Sequence, residues 1–200
     1  MKKWLEKIFS WVYEVSKSDI IQIICLVLYK FQIKTGFFRL CRISSRKTKK
    51  HFQLPAPLPL TKIISVKDEQ LVLKIAERIL TGEYPAFGEI WKPLEFSEPL
   101  AGYHWTLAEK KFKGDIKWVW EPARFTWAIY LAYAFSITQD EKFPRYFWKK
   151  LNEFIEKNPK DKGLNWVSGQ EISLRLIAFT FCLNIFRYSQ GTSEVNIQRI

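Results

Sequence analysis

The chain has 200 residues, of which 48% are apolar and 16% are aromatic, and its formal net charge is +12 at neutral pH. This length suits one domain or part of a larger one, and the apolar content is sufficient for a packed core. Three scattered cysteines without a CxxC or metal spacing argue against a disulfide framework and a zinc site. We therefore expect no metal and no cofactor.

The N-terminal part is predicted to be helical and basic. Helices are predicted over residues 3–17 and from Ser18 or Asp19 onward, the second with the apolar stripe Ile20, Ile23, Ile24, Val27, Leu28 and Phe31. Two interpretations stay open: a hairpin that packs on the rest of the protein, or an anchor that contacts a membrane surface through residues 1–50. The apolar run is too short to span a bilayer. No clear signal peptide precedes it, so a cytoplasmic and a periplasmic location both remain open.

A basic segment follows. Residues 20–67 carry ten Lys or Arg and no Asp or Glu. Within them, residues 39–50 either bind a polyanion or form a solvated connector, and the lack of interleaved aromatic residues disfavours nucleic acid. Pro55, Pro57 and Pro59 predict an extended linker. We therefore divide the chain into N-terminal helices and basic segment (1–53), a Pro-rich linker (54–65) and a helical region (66–200).

The helical region begins with a predicted helix that starts near Ser65 and Asp68, a pair close to a capping box, and ends at Gly82. Residues 83–113 are predicted to form a loop because of their Pro and Gly content. This loop is rich in aromatic side chains, including Phe87, Trp91, Phe96, Tyr103 and Trp105. A long aromatic loop in a compact domain is usually functional or packed over the edge of a core.

Two similar stretches dominate the rest of the region, Gly114–Phe135 and Gly163–Phe186. Each opens with Gly and continues through a Trp-Val pair, a Glu and an Arg into a long apolar helix, with offsets of 48 to 51 residues between the copies. A return helix, Asp140–Lys157, lies between them. This period predicts repeated helical hairpins. Pro122 is expected in the first turn of a helix, and Glu171 and Arg175 are expected to form a structural ion pair.

The motifs together resemble a known family. They are Trp120-Glu121-x-x-Arg124, Asn158-Pro159, Gly163-x-Asn165-Trp166-x-Ser168 and Glu171-x-x-x-Arg175, preceded by Gly102-x-His104-Trp105. Over residues 70–187 this set resembles the N-terminal α/α-toroid domain of the heparinase II/III-like polysaccharide lyases. The resemblance implies an all-α fold, an incomplete (α/α) toroid built of antiparallel helical hairpins.

The resemblance also implies β-elimination on an acidic, uronate-containing polysaccharide, a glycosaminoglycan such as heparan sulfate or chondroitin, or alginate. In that family the main catalytic Asn, Tyr and His lie mostly in later toroid helices and in a C-terminal β-sandwich. This sequence ends at Ile200. The expectation is a substrate-binding part that lacks the full catalytic set, depends on a missing C-terminal part of the same protein, and cleaves no uronate polymer by itself.

Seven residues are candidate substrate-binding residues: Asn165, Trp166, Trp120, Arg124, Glu121, His104 and Trp105. Asn165, Trp166, Trp120 and Arg124 are expected to meet at one rim of the hairpin stack, and His104 is expected to border that rim. Each also has a structural interpretation. Asn165 and Trp166 suit sugar contact, or a helix cap beside a core Trp. Arg124 suits a sugar carboxylate, or an internal pair with Glu121. Two alternative functions are a non-catalytic helical scaffold and a basic module for anionic surfaces or nucleic acid.

Overall fold

The computed structural model describes residues 17–36 and 69–192, which belong to two compact units, residues 1–48 and residues 49–200. In the first unit, α1 spans Lys17–Thr35. It begins before Ser18 and Asp19, so these predicted caps lie in its first turn. Large apolar side chains of its stripe, such as Val27 and Phe31, are exposed. Within the two described ranges, no helix combines the length and hydropathy needed to cross a membrane.

Several sequence predictions concern residues outside the described ranges. These are the helix over 3–17, the basic segment 39–50, the Pro-rich linker and the caps Ser65 and Asp68. The proposed domain boundaries and contact with a membrane surface therefore stay predictions.

The second unit consists of six helices, a short hairpin and one turn of 3-10 helix in its described part. In chain order they are α2 (Glu69–Leu80), β1 (Glu83–Ala86), β2 (Ile90–Pro93), α3 (Trp105–Lys111), α4 (Lys117–Ala123), α5 (Thr126–Thr138), α6 (Lys142–Lys157), the 3-10 helix (Leu164–Trp166) and α7 (Gly169–Phe186). Within residues 69–192 the one sheet is the antiparallel pair β1–β2. The prediction of a mainly helical fold is confirmed, whereas closure into a toroid stays a prediction.

The predicted loop over residues 83–113 is partly wrong, because it contains β1, β2 and α3. Pro85 and Pro93 suggested irregular structure. Both strands of a two-stranded ribbon are edges, however, and an edge strand tolerates a residue without an N–H group. With seven residues, α3 is also too short to show a clear helical period.

The first copy of the repeated stretch is broken into α4 and α5. Phe125 separates them in the left-handed conformation, with φ of 59°. Pro122 therefore lies in the last turn of α4, and its expected place in the first turn of the long helix was wrong. The carbonyl of Pro122 accepts a hydrogen bond of 2.9 Å from the Trp127 indole, which fixes the geometry of the break.

The core surrounds α5, which packs against α2, α6 and α7. Phe125 is fully buried at its centre, and its ring lies within 4.8–6.3 Å of five other aromatic rings, those of Phe96, Trp127, Phe147, Phe154 and Phe179. The break before α5 thus turns a large side chain inward. The predicted return helix over 140–157 corresponds to α6, and α5, α6 and α7 follow one another as the repeat predicts.

Candidate functional site

The turn between α6 and α7 is built around the carboxylate of Glu98. One Glu98 oxygen accepts hydrogen bonds from the backbone N–H groups of Leu164 at 2.7 Å and Asn165 at 3.2 Å. The Asn165 side-chain amide donates to the same oxygen at 3.4 Å. Gly163 precedes them with φ of 79°, and a β-carbon there would lie 2.7 Å from the Glu98 oxygen. The Gly-x-Asn-Trp motif therefore forms a turn whose backbone N–H groups bind one carboxylate.

Asn165 is only 1% exposed and belongs to a buried amide pair. Its Nδ2 donates to Asn158 Oδ1 at 2.7 Å, and Asn158 Nδ2 donates to the Phe154 carbonyl at 2.8 Å near the end of α6. The cap of α7 is Ser168, whose hydroxyl accepts from the Glu171 N–H. Asn165 Oδ1 and Trp166 Nε1 are buried and have no hydrogen-bond partner in the described part of the chain.

Arg124 joins the two copies of the repeat. Its Nε and one terminal nitrogen bind the two Glu171 oxygens at 2.6 and 2.8 Å, and the other terminal nitrogen binds Glu121 at 2.5 Å. The hydrogen bond to Glu171 is the main reason why the pKa of Arg124 is raised. All three guanidinium nitrogens are thus committed to carboxylates of the protein itself. Glu121 and Glu171 are both buried.

The expected pair between Glu171 and Arg175 is not among the ion pairs of the described residues. Arg175 is buried, and its donors bind backbone carbonyls of Ala123 at 2.6 Å and Asn165 at 3.3 Å. Burial lowers the pKa of Arg175 to about 10, which leaves it protonated at neutral pH. The prediction failed because Arg124 at the α4–α5 break reaches Glu171 with a bidentate geometry that one helix face does not offer to Arg175.

The aromatic candidates border the same turn. Trp120 is half-buried, and its indole donates to the Leu164 carbonyl at 2.9 Å. Trp166 is half-buried too, with its ring centroid 5.8 Å from the Arg175 guanidinium carbon. The backbone of Trp105 donates to Asp161, and His104 forms a β-bridge with Lys162. His104 Nδ1 also contacts the Thr106 hydroxyl at 2.9 Å. The structure therefore brings the seven candidate residues to one region, the surroundings of the 3-10 helix.

Trp166 also lines a cleft of about 310 Å³ between α6 and α7. Its walls are mostly apolar, and the polar groups come from Asn158, Lys160 and Arg175. Within residues 17–36 and 69–192, no three His, Cys, Asp or Glu side chains are grouped so that they could hold a metal ion.

A second feature is connected to this cluster through Glu121, which also pairs with Arg124. The sequence did not indicate this feature as a site. The Phe87 N–H donates to Glu121 Oε1 at 2.9 Å. The Phe87 ring meets the Trp118 ring at a centroid distance of 4.9 Å and an angle of 80°, and Lys92 Nζ lies 5.4 Å from the Trp118 ring centroid. We call Phe87, Trp118 and Lys92 the aromatic corner. Trp118 belongs to the Trp-Val pair of the repeat and was therefore noticeable in the sequence. The exposure of its side chain, however, depends on the tertiary fold.

Comparison with known protein families assigns most of the second unit to one family. The sequence model of a family described as heparinase II/III N-terminus matches residues 81–195, which is more than half of the chain. The chain belongs to the heparinase II/III N-terminus family. Searches of the curated proteins and of the solved structures found no match.

The region matched to the heparinase II/III N-terminus family contains the hairpin, the break between α4 and α5, and α7. All seven candidate residues and the aromatic corner lie inside it. Glu98, the main structural residue that the sequence reasoning missed, lies inside it as well. A lone Glu in a Pro-rich segment carries no local signal for the backbone groups that it binds more than 60 residues later.

Proposed function

We propose that the helical region binds a uronate-containing polysaccharide as part of a lyase that cleaves it by β-elimination. The observation that carries this proposal is the match to the heparinase II/III N-terminus family over residues 81–195. The concentration of half-buried aromatic side chains around one turn supports it, because flat apolar faces with polar rims suit sugar rings.

The buried and the exposed members of the cluster have different roles in this proposal. Asn165, Glu121 and Glu171 are buried and position the turn from inside. Trp120, Trp166, His104 and Trp105 keep part of their surface exposed and supply contacts to the polymer. Arg124 keeps 23% of its side chain exposed, but Glu121 and Glu171 offset its charge, so its role is to hold the α4–α5 break against α7.

The chemistry of β-elimination explains why cations belong in such a site. A base removes the proton from the carbon that bears the uronate carboxylate, a C=C bond forms, and the bond to the glycosidic oxygen breaks as that oxygen receives a proton. Neutralising the carboxylate makes this proton easier to remove. We propose that the helical region orients and neutralises the uronate, and we assign no base or acid among its residues.

A binding experiment tests the proposal. Titrations of the chain with oligosaccharides of alginate, heparan sulfate and chondroitin should show saturable binding to at least one of them. Dextran controls for sugar without charge, and polyglutamate controls for carboxylates without sugar, which matters because residues 20–67 are strongly basic. Equal affinity for polyglutamate, or no affinity for any uronate, would contradict the proposal and leave a helical scaffold or a polyanion-binding module.

A variant pair locates the binding. Trp166→Ala should weaken binding of the preferred uronate by about fivefold to tenfold, because one aromatic stacking contact is lost. Tyr188→Ala removes an aromatic side chain that is 62% exposed outside the cluster, and it should leave the affinity unchanged. Both variants should first give the circular dichroism spectrum of the wild type. Equal affinities of the wild type and the Trp166 variant would remove this residue from the site.

A further inference from the structure

The aromatic corner presents apolar surface at a cost in backbone energy. Phe87 has φ of 51°, a left-handed conformation that a bulky side chain rarely adopts. Its side chain is nevertheless 46% exposed, and that of Trp118 is 42% exposed. A strained residue that is buried is explained by packing. Phe87 leaves almost half of its surface exposed to solvent, and a glycine would adopt the same conformation without strain.

The surrounding contacts hold Phe87 in this conformation. Its N–H group is bound by the buried carboxylate of Glu121, and the turn is closed by hydrogen bonds from Gly88 to Pro85 and from Glu89 to Ala86. The ring then stands at 80° to the Trp118 ring. The two rings meet edge to face, and part of each ring stays exposed. The fold therefore fixes an exposed aromatic surface in a defined orientation.

Lys92 gives the corner its charge preference. Its ammonium lies over the Trp118 ring at 5.4 Å, within the range of a cation–π contact. Lys92 is exposed, so its flexible stem can carry the ammonium from the ring to a ligand carboxylate. One acidic group, Glu89, lies in the same turn and is exposed. A ligand with an apolar face and one carboxylate matches this combination of rings and cation.

We infer that the aromatic corner binds one uronate ring of the polymer, with the sugar face on Trp118, its edge against Phe87 and its carboxylate on Lys92. The inference rests on the proposed function and extends its site from the 3-10 helix to the β-hairpin. Glu121 links the two places, because it binds the Phe87 N–H group with one oxygen and Arg124 with the other. The same carboxylate thus orders both parts of the polymer-binding surface.

The test uses a tetrasaccharide of alginate, heparan sulfate or chondroitin, whichever the wild-type chain binds, together with its carboxyl-reduced form. Trp118→Ala should weaken binding of both forms by about fivefold to tenfold, and Trp118→Phe should restore most of the affinity. Lys92→Gln should weaken binding of the acidic form alone, by about threefold to tenfold. Lys149→Gln, at another exposed lysine, is the matched control.

Phe87→Gly separates binding from stability. If Phe87 serves a ligand, this variant should bind less tightly and unfold at the same or a higher temperature, because the strain is relieved. A lower unfolding temperature with unchanged affinity would show that Phe87 is structural and would overturn the inference. Unchanged affinity of Trp118→Ala would overturn it too while leaving the proposed function intact. A wild type that binds none of the three uronates would overturn both.

Discussion

Gly163 and Glu98 show how single residues determine the shape of the candidate site. The positive φ of Gly163 brings two backbone N–H groups onto one carboxylate oxygen. A glycine shortly before a long apolar helix could be recognised in the sequence as a turn residue. The reason that only glycine fits was not visible there, because it depends on a side chain 65 residues earlier in the chain.

Replacing Gly163 by alanine should therefore be costly. The new β-carbon would collide with Glu98, and the backbone would keep an unfavourable positive φ. We expect Gly163→Ala to lower the free energy of unfolding by about 2–4 kcal/mol, from backbone strain and weakened hydrogen bonds. Urea unfolding followed by tryptophan fluorescence measures the change.

Gly102→Ala is the control for this substitution. A β-carbon at Gly102 meets no atom within 4 Å, so the free energy of unfolding should change by about 0.5 kcal/mol or less. Equal effects of the two substitutions would show that Glu98 does not restrict the turn.

At the scale of elements, Arg124 ties the α4–α5 break to the first turn of α7. Its guanidinium binds both carboxylate oxygens of Glu171, which lies 47 residues later in the sequence. The sequence offered an internal pair with Glu121 as one interpretation of Arg124, and the structure shows the two residues paired. The partner of Glu171 was not predictable, because the choice between Arg124 and Arg175 depends on the break at Phe125. No helical spacing rule describes that break.

A double-mutant cycle measures this connection. Arg124→Gln, Glu171→Gln and the double variant should give a coupling energy of about 1.5–3 kcal/mol, as expected for a bidentate pair with one buried partner. Arg78 and Glu83 form the control cycle, because their ion pair has a similar distance of 2.7 Å but both side chains are largely exposed. That cycle should give about 0–1 kcal/mol. Similar values for the two pairs would mean that Arg124 does not join the two copies of the repeat.

At the scale of the molecule, the mainly helical character of the described part of the second unit followed from the sequence, because α2, α5, α6 and α7 are long. Their apolar residues recur at helical spacing or run continuously. The hairpin and α3 did not follow, because short elements next to proline give weak periodicity. The region of the candidate site also followed, since equivalent ends of successive repeats lie on the same side. The aromatic corner could not be predicted from the sequence, because the exposure of Trp118 depends on how β1 and β2 pack beside α4.

The core of the second unit makes a prediction about stability. Among the described residues, those buried in this core come from α2, β1, the segment after β2, and α4 to α7, with Phe125 at the centre. Phe125→Ala should lower the free energy of unfolding by about 3–5 kcal/mol, because it removes the ring around which five others pack. Phe87→Ala, at an exposed ring, should cost much less. Urea unfolding measures both changes, and equal costs would show that Phe125 is not the centre of this core.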